Sequence, residues 1–152
     1  MAQYAKNTSV SVEMSRIEIE RVLIRYGAEN FAYAVSADKA MIAFKMHNRQ
    51  VKFMLPPIKN YELTPTGRQR SDNSKFDAWE QDCRQRWRAL KLVIQAKLEA
   101  VECGISEFED EFMSYIVLPG GETVGSTVRP QIEQAYNSGN IPELTLLKGV
   151  ND

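Results

Sequence analysis

Residues 31–55 read FAYAVSADKAMIAFKMHNRQVKFML, and their alternation decides the fold. Phe31, Tyr33 and Val35 stand at odd positions with alanines between them, the period of a strand. Ser36-Ala37-Asp38-Lys39 has turn composition. Ala40, Ile42, Phe44 and Met46 then alternate with Lys39, Met41, Ala43, Lys45 and His47. The chain turns again around Asn48-Arg49. Val51, Phe53 and Leu55 alternate with Lys52 and Met54, and Pro56-Pro57 stops the run because proline cannot donate to a ladder. Successive side chains leave a strand on opposite faces. One face of this three-stranded antiparallel meander is therefore strongly apolar and needs helices over it. The other carries Lys39, Lys45, His47 and Lys52 among small or flexible residues.

The flanking segments have helical period. Ser11 or Ser15 opens the first helix, and Ser15-Arg16-Ile17-Glu18 has the form of a capping box. Ile19, Val22, Leu23 and Tyr26 share one face, and Gly27 ends the helix as a left-handed residue. After a polar loop over 58–75, the longest helix is expected over about 76–102. Trp79, Cys83, Trp87, Leu90, Ile94, Leu98 and Val101 step by three or four, a stripe of roughly 40 Å at 1.5 Å per residue. Arg84, Arg88, Lys91 and Gln95 form a second stripe beside it. Ser106-Glu107-Phe108-Glu109 is a second capping box, opening a short helix with Phe108, Phe112, Tyr115 and Ile116 inside. Leu118-Pro119-Gly120-Gly121 is a turn. A last helix over about 128–137 should point Ile132, Ala135 and Tyr136 inward and stop at Gly139.

The expected fold class is α+β. A three-stranded antiparallel meander is packed by a long helix in an α-β-β-β-α core over about 11–102, with short C-terminal helices over about 105–140. The 152 residues fit a single domain. The chain is 43% hydrophobic and 26% charged, ordinary globular proportions that argue against disorder. No apolar run approaches the ~20 residues of a spanning helix, and the polar N-terminus shows no secretory signal. Cys83 and Cys103 are too few for a disulfide framework, so a reducing cytoplasm is expected. They stand about twenty residues apart on one helix, roughly 30 Å, so both should be free thiols.

Candidate chemistry is sparse. The single histidine, His47, excludes sites built on several histidines, and it fits a turn. Glu107, Glu109, Asp110 and Glu111 come from one helical run, whereas metal-dependent nucleases need carboxylates converging from several elements. A solvated face and helix-dipole complement is the reading adopted for them. Gly120-Gly121-Glu122-Thr123-Val124-Gly125 lacks the ending of a phosphate loop. No catalytic residue, metal or cofactor is expected.

Charge is divided along the chain. Residues 38–100 hold thirteen Lys and Arg against seven Asp and Glu, net +6, and the remainder is net −7. A partner feels the local field, so the middle of the chain can attract an anion although the total is −1. Lys45 and Lys52 on the open sheet face, Arg68 and Arg70 in the loop, and Arg84, Arg88 and Lys91 on the helix flank are the expected nucleic-acid-binding residues. The plain alternative is a set of solvated charges that cancel in three dimensions.

Tyr26-Gly27-Ala28, Thr64-Pro65-Thr66-Gly67-Arg68, Cys83-Arg84-Gln85-Arg86-Trp87-Arg88-Ala89-Leu90, Phe108-Glu109-Asp110-Glu111-Phe112 and Val117-Leu118-Pro119 together resemble a family of small proteins encoded by bacteriophages and prophages. The resemblance runs in the same order over most of the chain. It implies a context, the bacterial cytoplasm during phage growth, and no activity. Small phage proteins there mostly handle DNA or inhibit host proteins. The element order is also similar to that of double-stranded RNA-binding domains, and annealing proteins use a β-β-β-α core. The first turns of the long helix are acidic here, unlike the basic opening of those RNA-binding modules. The expected function is non-enzymatic, sequence-nonspecific binding of nucleic acid, single-stranded DNA above all, in replication or recombination, with homo-oligomers allowed. The alternative is inhibition of a host defence or transcription factor through the acidic C-terminal half.

Overall fold

Ser11 opens the first helix: its side-chain oxygen accepts the Met14 N–H at 3.1 Å. The capping box at Ser15 does not form, because Ser15 lies one turn inside the helix and is completely buried. In this computed structural model, which describes residues 2–36, 39–55 and 61–141, the order is α1 (Val12–Arg25), β1 (Glu29–Val35), β2 (Ala40–Met46), β3 (Arg49–Leu55), α2 (Asp72–Glu102), α3 (Phe108–Phe112), a 3-10 turn (Met113–Tyr115) and α4 (Val124–Ser138). The chain is thus α+β with the expected α-β-β-β-α order. Gly27, at φ 88°, ends α1 where the sequence places the stop.

The sheet is an antiparallel meander, β1-β2-β3. His47 and Asn48, at φ 49° and 59°, form the two-residue turn between β2 and β3. Two successive positive φ values give the tight hairpin whose twist matches its strands. Ile42, Phe44 and Met46 on β2 and Val51 and Phe53 on β3 are buried, as the alternation requires. β1 behaves differently. It starts at Glu29, two residues earlier than expected, its register slips between Glu29 and Ala32, and its side chains are exposed apart from half-buried Phe31.

α1 and α2 cover the apolar face side by side and in parallel. Arg88 reaches Ser15 and Tyr26 reaches Glu99, each pair 73 residues apart. Three strands between two helices return the chain to its starting direction, so parallel packing follows from the odd strand count. Trp87, Leu90, Ile94 and Leu98 are buried against Ile19, Leu23, Ile42 and Phe44.

α2 begins at Asp72, four residues before the expected start, with Ser71 capping the Ser74 N–H at 3.3 Å. Its 31 residues span roughly 46 Å at 1.5 Å each, about twice a seven-residue strand. The first turns therefore run beyond the sheet, and Trp79 and Cys83 are only half-buried there. Gln81 and Gln85 donate to main-chain carbonyls of residues 2–8. On another side lies the loop, whose residues 61–71 are described. Thr64 closes a turn on Arg68, and Lys75 pairs with Glu62 at 2.7 Å. Residues 58–60 of the expected loop lie outside the described residues.

Phe108 and Phe112 of α3 are buried, although the Ser106 capping box is not made: Glu107 is the N-cap and makes no side-chain cap bond. Phe112 meets Phe44 and Phe53 edge-on at 6.1 and 6.4 Å, and Tyr115 stacks on Phe53 at 4.1 Å. The chain then pairs with the sheet, the Val117 N–H donating to the Gln50 carbonyl at 2.8 Å.

α4 departs most from expectation. It begins at Val124, capped by Thr123, and has no buried residue. Ile132 and Tyr136 are exposed rather than inward, because α2 and α3 have already closed the core. Its N-terminal turn presses on the 3-10 turn, where a Cβ on Gly125 would stand 2.7 Å from the Ser114 carbonyl oxygen. Only glycine permits that approach.

Candidate nucleic-acid interface

Lys45 and Lys52 alternate with buried Phe44, Met46, Val51 and Phe53, so both leave the sheet on the face opposite the helices. Lys45 pairs with Gln50 and Lys52 with Ala43, which makes the two lysines diagonal neighbours, about 7 Å apart. With Asn30, Ala32, Met41, Gln50 and Val117 they line a shallow groove of about 270 Å³. Its floor is made of small side chains because Ala32 and Ala43 face each other across β1 and β2. The groove holds two cations and two side-chain amides, and Phe44, which also borders it, is buried at 2% exposure, so the surface suits phosphate and sugar rather than base stacking. Two contacts temper the charge. Glu29 stands opposite Lys45, and the Lys52 ammonium donates to the Gly121 carbonyl at 3.2 Å.

The arginines of α2 do not join this surface. Arg88 turns toward α1, pairs with Glu18 at 2.7 Å and donates to Ser15 at 3.4 Å. Arg84, one turn earlier, is held within its own helix by Glu80 at 3.3 Å and by Gln81. Lys91, three residues after Arg88, is half-buried on the same flank. This second stripe is the seam facing α1, on the other side of the sheet from Lys45 and Lys52. Arg68 is exposed and Arg70 half-buried in the loop over the first turns of α2. The Arg70 Nε is buried without a hydrogen-bond partner among the described residues. Of seven expected residues the fold brings together Lys45 and Lys52. Gln50, Asn30 and Glu29 join them through strand register, which the charge pattern of the sequence does not carry. Alternation could have found Gln50 once the turn was placed at His47-Asn48.

Two of the three acidic residues of α3 are committed elsewhere. Glu109 pairs with Arg49 at 2.7 Å, and Glu111 with Lys97 at 3.2 Å. Among the described residues no group of three or more His, Cys, Asp and Glu is placed to hold a metal, and no helix is long and apolar enough to cross a membrane.

Both thiols are free, and unbroken α2 separates them. Glu99 accepts hydrogen bonds from Tyr26 and from Cys103. The hydrogen bond to Glu99 raises the Cys103 thiol above its ordinary range, since a nearby carboxylate disfavours a thiolate. Glu99→Gln removes that charge, lowers the thiol pKa and should speed alkylation of Cys103 at pH 8. An unchanged rate would show that the carboxylate does not govern the thiol. At a pH far above the thiol pKa the two rates should converge.

Comparison of the chain with protein-family models, with curated proteins and with solved structures finds no match.

Proposed function

We propose that this chain is a non-enzymatic nucleic-acid-binding protein that holds a phosphate backbone, single-stranded DNA above all, on the open face of its meander without sequence preference. The observation that carries the reading is the convergence of Lys45 and Lys52 on the sheet face that none of the described helices covers. The resemblance to phage and prophage proteins supports a context of phage growth in the host cytoplasm, where replication and recombination are the processes such binding would serve. An open cationic groove with a floor of small side chains admits a flexible strand more readily than a rigid duplex.

Two phosphate contacts on a single strand give a salt slope near −1.4, about a sevenfold loss of affinity between roughly 50 and 200 mM salt. Fluorescence anisotropy with labelled single-stranded and duplex oligonucleotides reads this slope. Lys45→Glu with Lys52→Glu should abolish binding at low salt, because each replaces an attraction by a repulsion. Arg84→Ala should leave the slope unchanged. Binding that survives the double substitution would place the interface elsewhere.

A second reading, a protein-binding inhibitor of a host factor using the acidic C-terminal half, is favoured by α4. Its exposed Ile132 borders an apolar groove of about 400 Å³ between α4 and the 3-10 turn. No nucleic-acid binding at low salt, together with retention of a host protein lost on Ile132→Asp, would favour that reading.

A further inference from the structure

The two edges of the sheet are treated differently. On the β3 edge, Val117 donates to Gln50 and Ile116 bridges to Val51, so the ladder continues into covering chain. On the β1 edge no described residue pairs with the strand. The Ser36 N–H donates across the hairpin to the Lys39 carbonyl. Antiparallel bonding alternates, so Ala34 and Ala32 also turn their backbone groups toward β2, and those of Tyr33 and Val35 point outward. Natural sheets blunt such an edge with lysine, proline, a bulge or a very short strand, and the register slip between Glu29 and Ala32 leaves the regular part of β1 over Ala32–Val35. Residues 30–35 contain no charge and no proline. Tyr33 and Val35 are 50% and 58% exposed, on the face of the sheet that the helices cover further in. The guanidinium of Arg16, 4.2 Å above the Tyr33 ring, reaches over that part of the strand from α1.

We infer that β1 is a self-association edge and that its occupant is a second copy of this chain, joined antiparallel about a two-fold axis at Tyr33. The ground for choosing a second copy is the symmetry of the strand itself. Phe31-Ala32-Tyr33-Ala34-Val35 has the same character read in either direction. A two-fold axis requires one patch to complement itself. About Tyr33, Phe31 meets Val35 of the second copy and Ala32 meets its Ala34. Aromatic and β-branched side chains then pair on one face and small ones on the other. The product is a continuous six-stranded sheet, β3-β2-β1 followed by its mirror order. The inference stands without the nucleic-acid reading. If both hold, the dimer sets two pairs of lysines on one open face.

Sedimentation velocity on the full chain, from low to high micromolar concentration, should show a monomer–dimer equilibrium. Tyr33→Lys places like charges opposite each other on the axis and should raise the dissociation constant about tenfold or more. Val35→Lys, at a more exposed position, is the second variant should Tyr33→Lys fail to fold by circular dichroism. In a Cys103→Ser background, Tyr33→Cys should yield a disulfide-linked dimer. Residues facing each other in a bonded antiparallel pair have Cα atoms roughly 5.5 Å apart, within disulfide range. A chain that stays monomeric throughout overturns the inference, as does a dimer that both lysine variants leave intact or that Tyr33→Cys cannot link. Anisotropy with the same variants separates this result from the proposed function, since a monomer can still bind nucleic acid through Lys45 and Lys52.

Discussion

Trp87→Ala should lower the stability of the chain by about 3–5 kcal/mol, a large part of the 5–15 kcal/mol of a typical domain. Trp87 is 3% exposed and packs in the cluster that joins α2 to the sheet. Deleting the indole removes apolar surface from the interior and leaves a cavity that the neighbouring Leu90 and Ile94 cannot fill without moving backbone. For a chain of this size each kcal/mol shifts the melting temperature by about 2–4 °C, so a fall on the order of 10 °C is expected. Urea melts of Trp87→Ala and of Phe76→Ala form the comparison. Phe76 is 57% exposed on the part of α2 beyond the sheet, and its loss should cost much less. Equal midpoints for wild type and Trp87→Ala would mean that the stripe of α2 does not face the core.

The second large effect is at Arg88. A charge-pattern reading of the helix makes Arg88→Ala a change in ligand affinity with little thermal consequence. The structure adds a stability effect to that expectation. The side chains of Arg88 and Glu18 are 17% and 30% exposed, and the pair lies between α1 and α2. Removing one partner of a fully buried pair costs about 3–5 kcal/mol, and at this partial exposure about 1–3 kcal/mol is expected. Ser15, completely buried, also loses the Arg88 donor. Thermal melts should therefore show Arg88→Ala destabilised and Arg84→Ala close to wild type, because Arg84 pairs with a half-exposed Glu80 within one helix. The double variant Glu18→Ala with Arg88→Ala should cost less than the two losses added. A melting temperature for Arg88→Ala equal to wild type would put its guanidinium in solvent.

The fold was legible where periodicity is tied to burial. Ile42, Phe44, Val51 and Phe53 alternate because one side of the sheet is dry, and Trp87, Leu90, Ile94 and Leu98 step by helical turns for the same reason. Pattern gave less where a segment has no core to face. Ile132 and Tyr136 have helical spacing, yet both are exposed on α4, whose main described contact is with the 3-10 turn. Phe31, Tyr33 and Val35 alternate like core residues and lie on an edge. Within the candidate site, Lys45 and Lys52 followed from alternation alone. The contacts of Arg84 and Arg88 did not follow, because a helical stripe states which residues share a side and not what that side meets. Glu18 is 70 positions from Arg88 in the sequence, and only the parallel packing of the two helices reveals the pair.

The 73-residue interval between the contacts of α1 and those of α2 sets a schedule for the nascent chain. At roughly 5–20 residues per second, about 4–15 s pass between the emergence of a position on α1 and that of its neighbour on α2. During that delay the flank of α1 carrying Ser15 and Glu18 has only solvent, or a chaperone, beside it. Closing so long an interval also costs entropy before any packing repays it, and topologies dominated by distant contacts assemble slowly. The hairpin at His47-Asn48 can form early from local sequence, whereas the helical layer has to wait for synthesis to reach the end of α2.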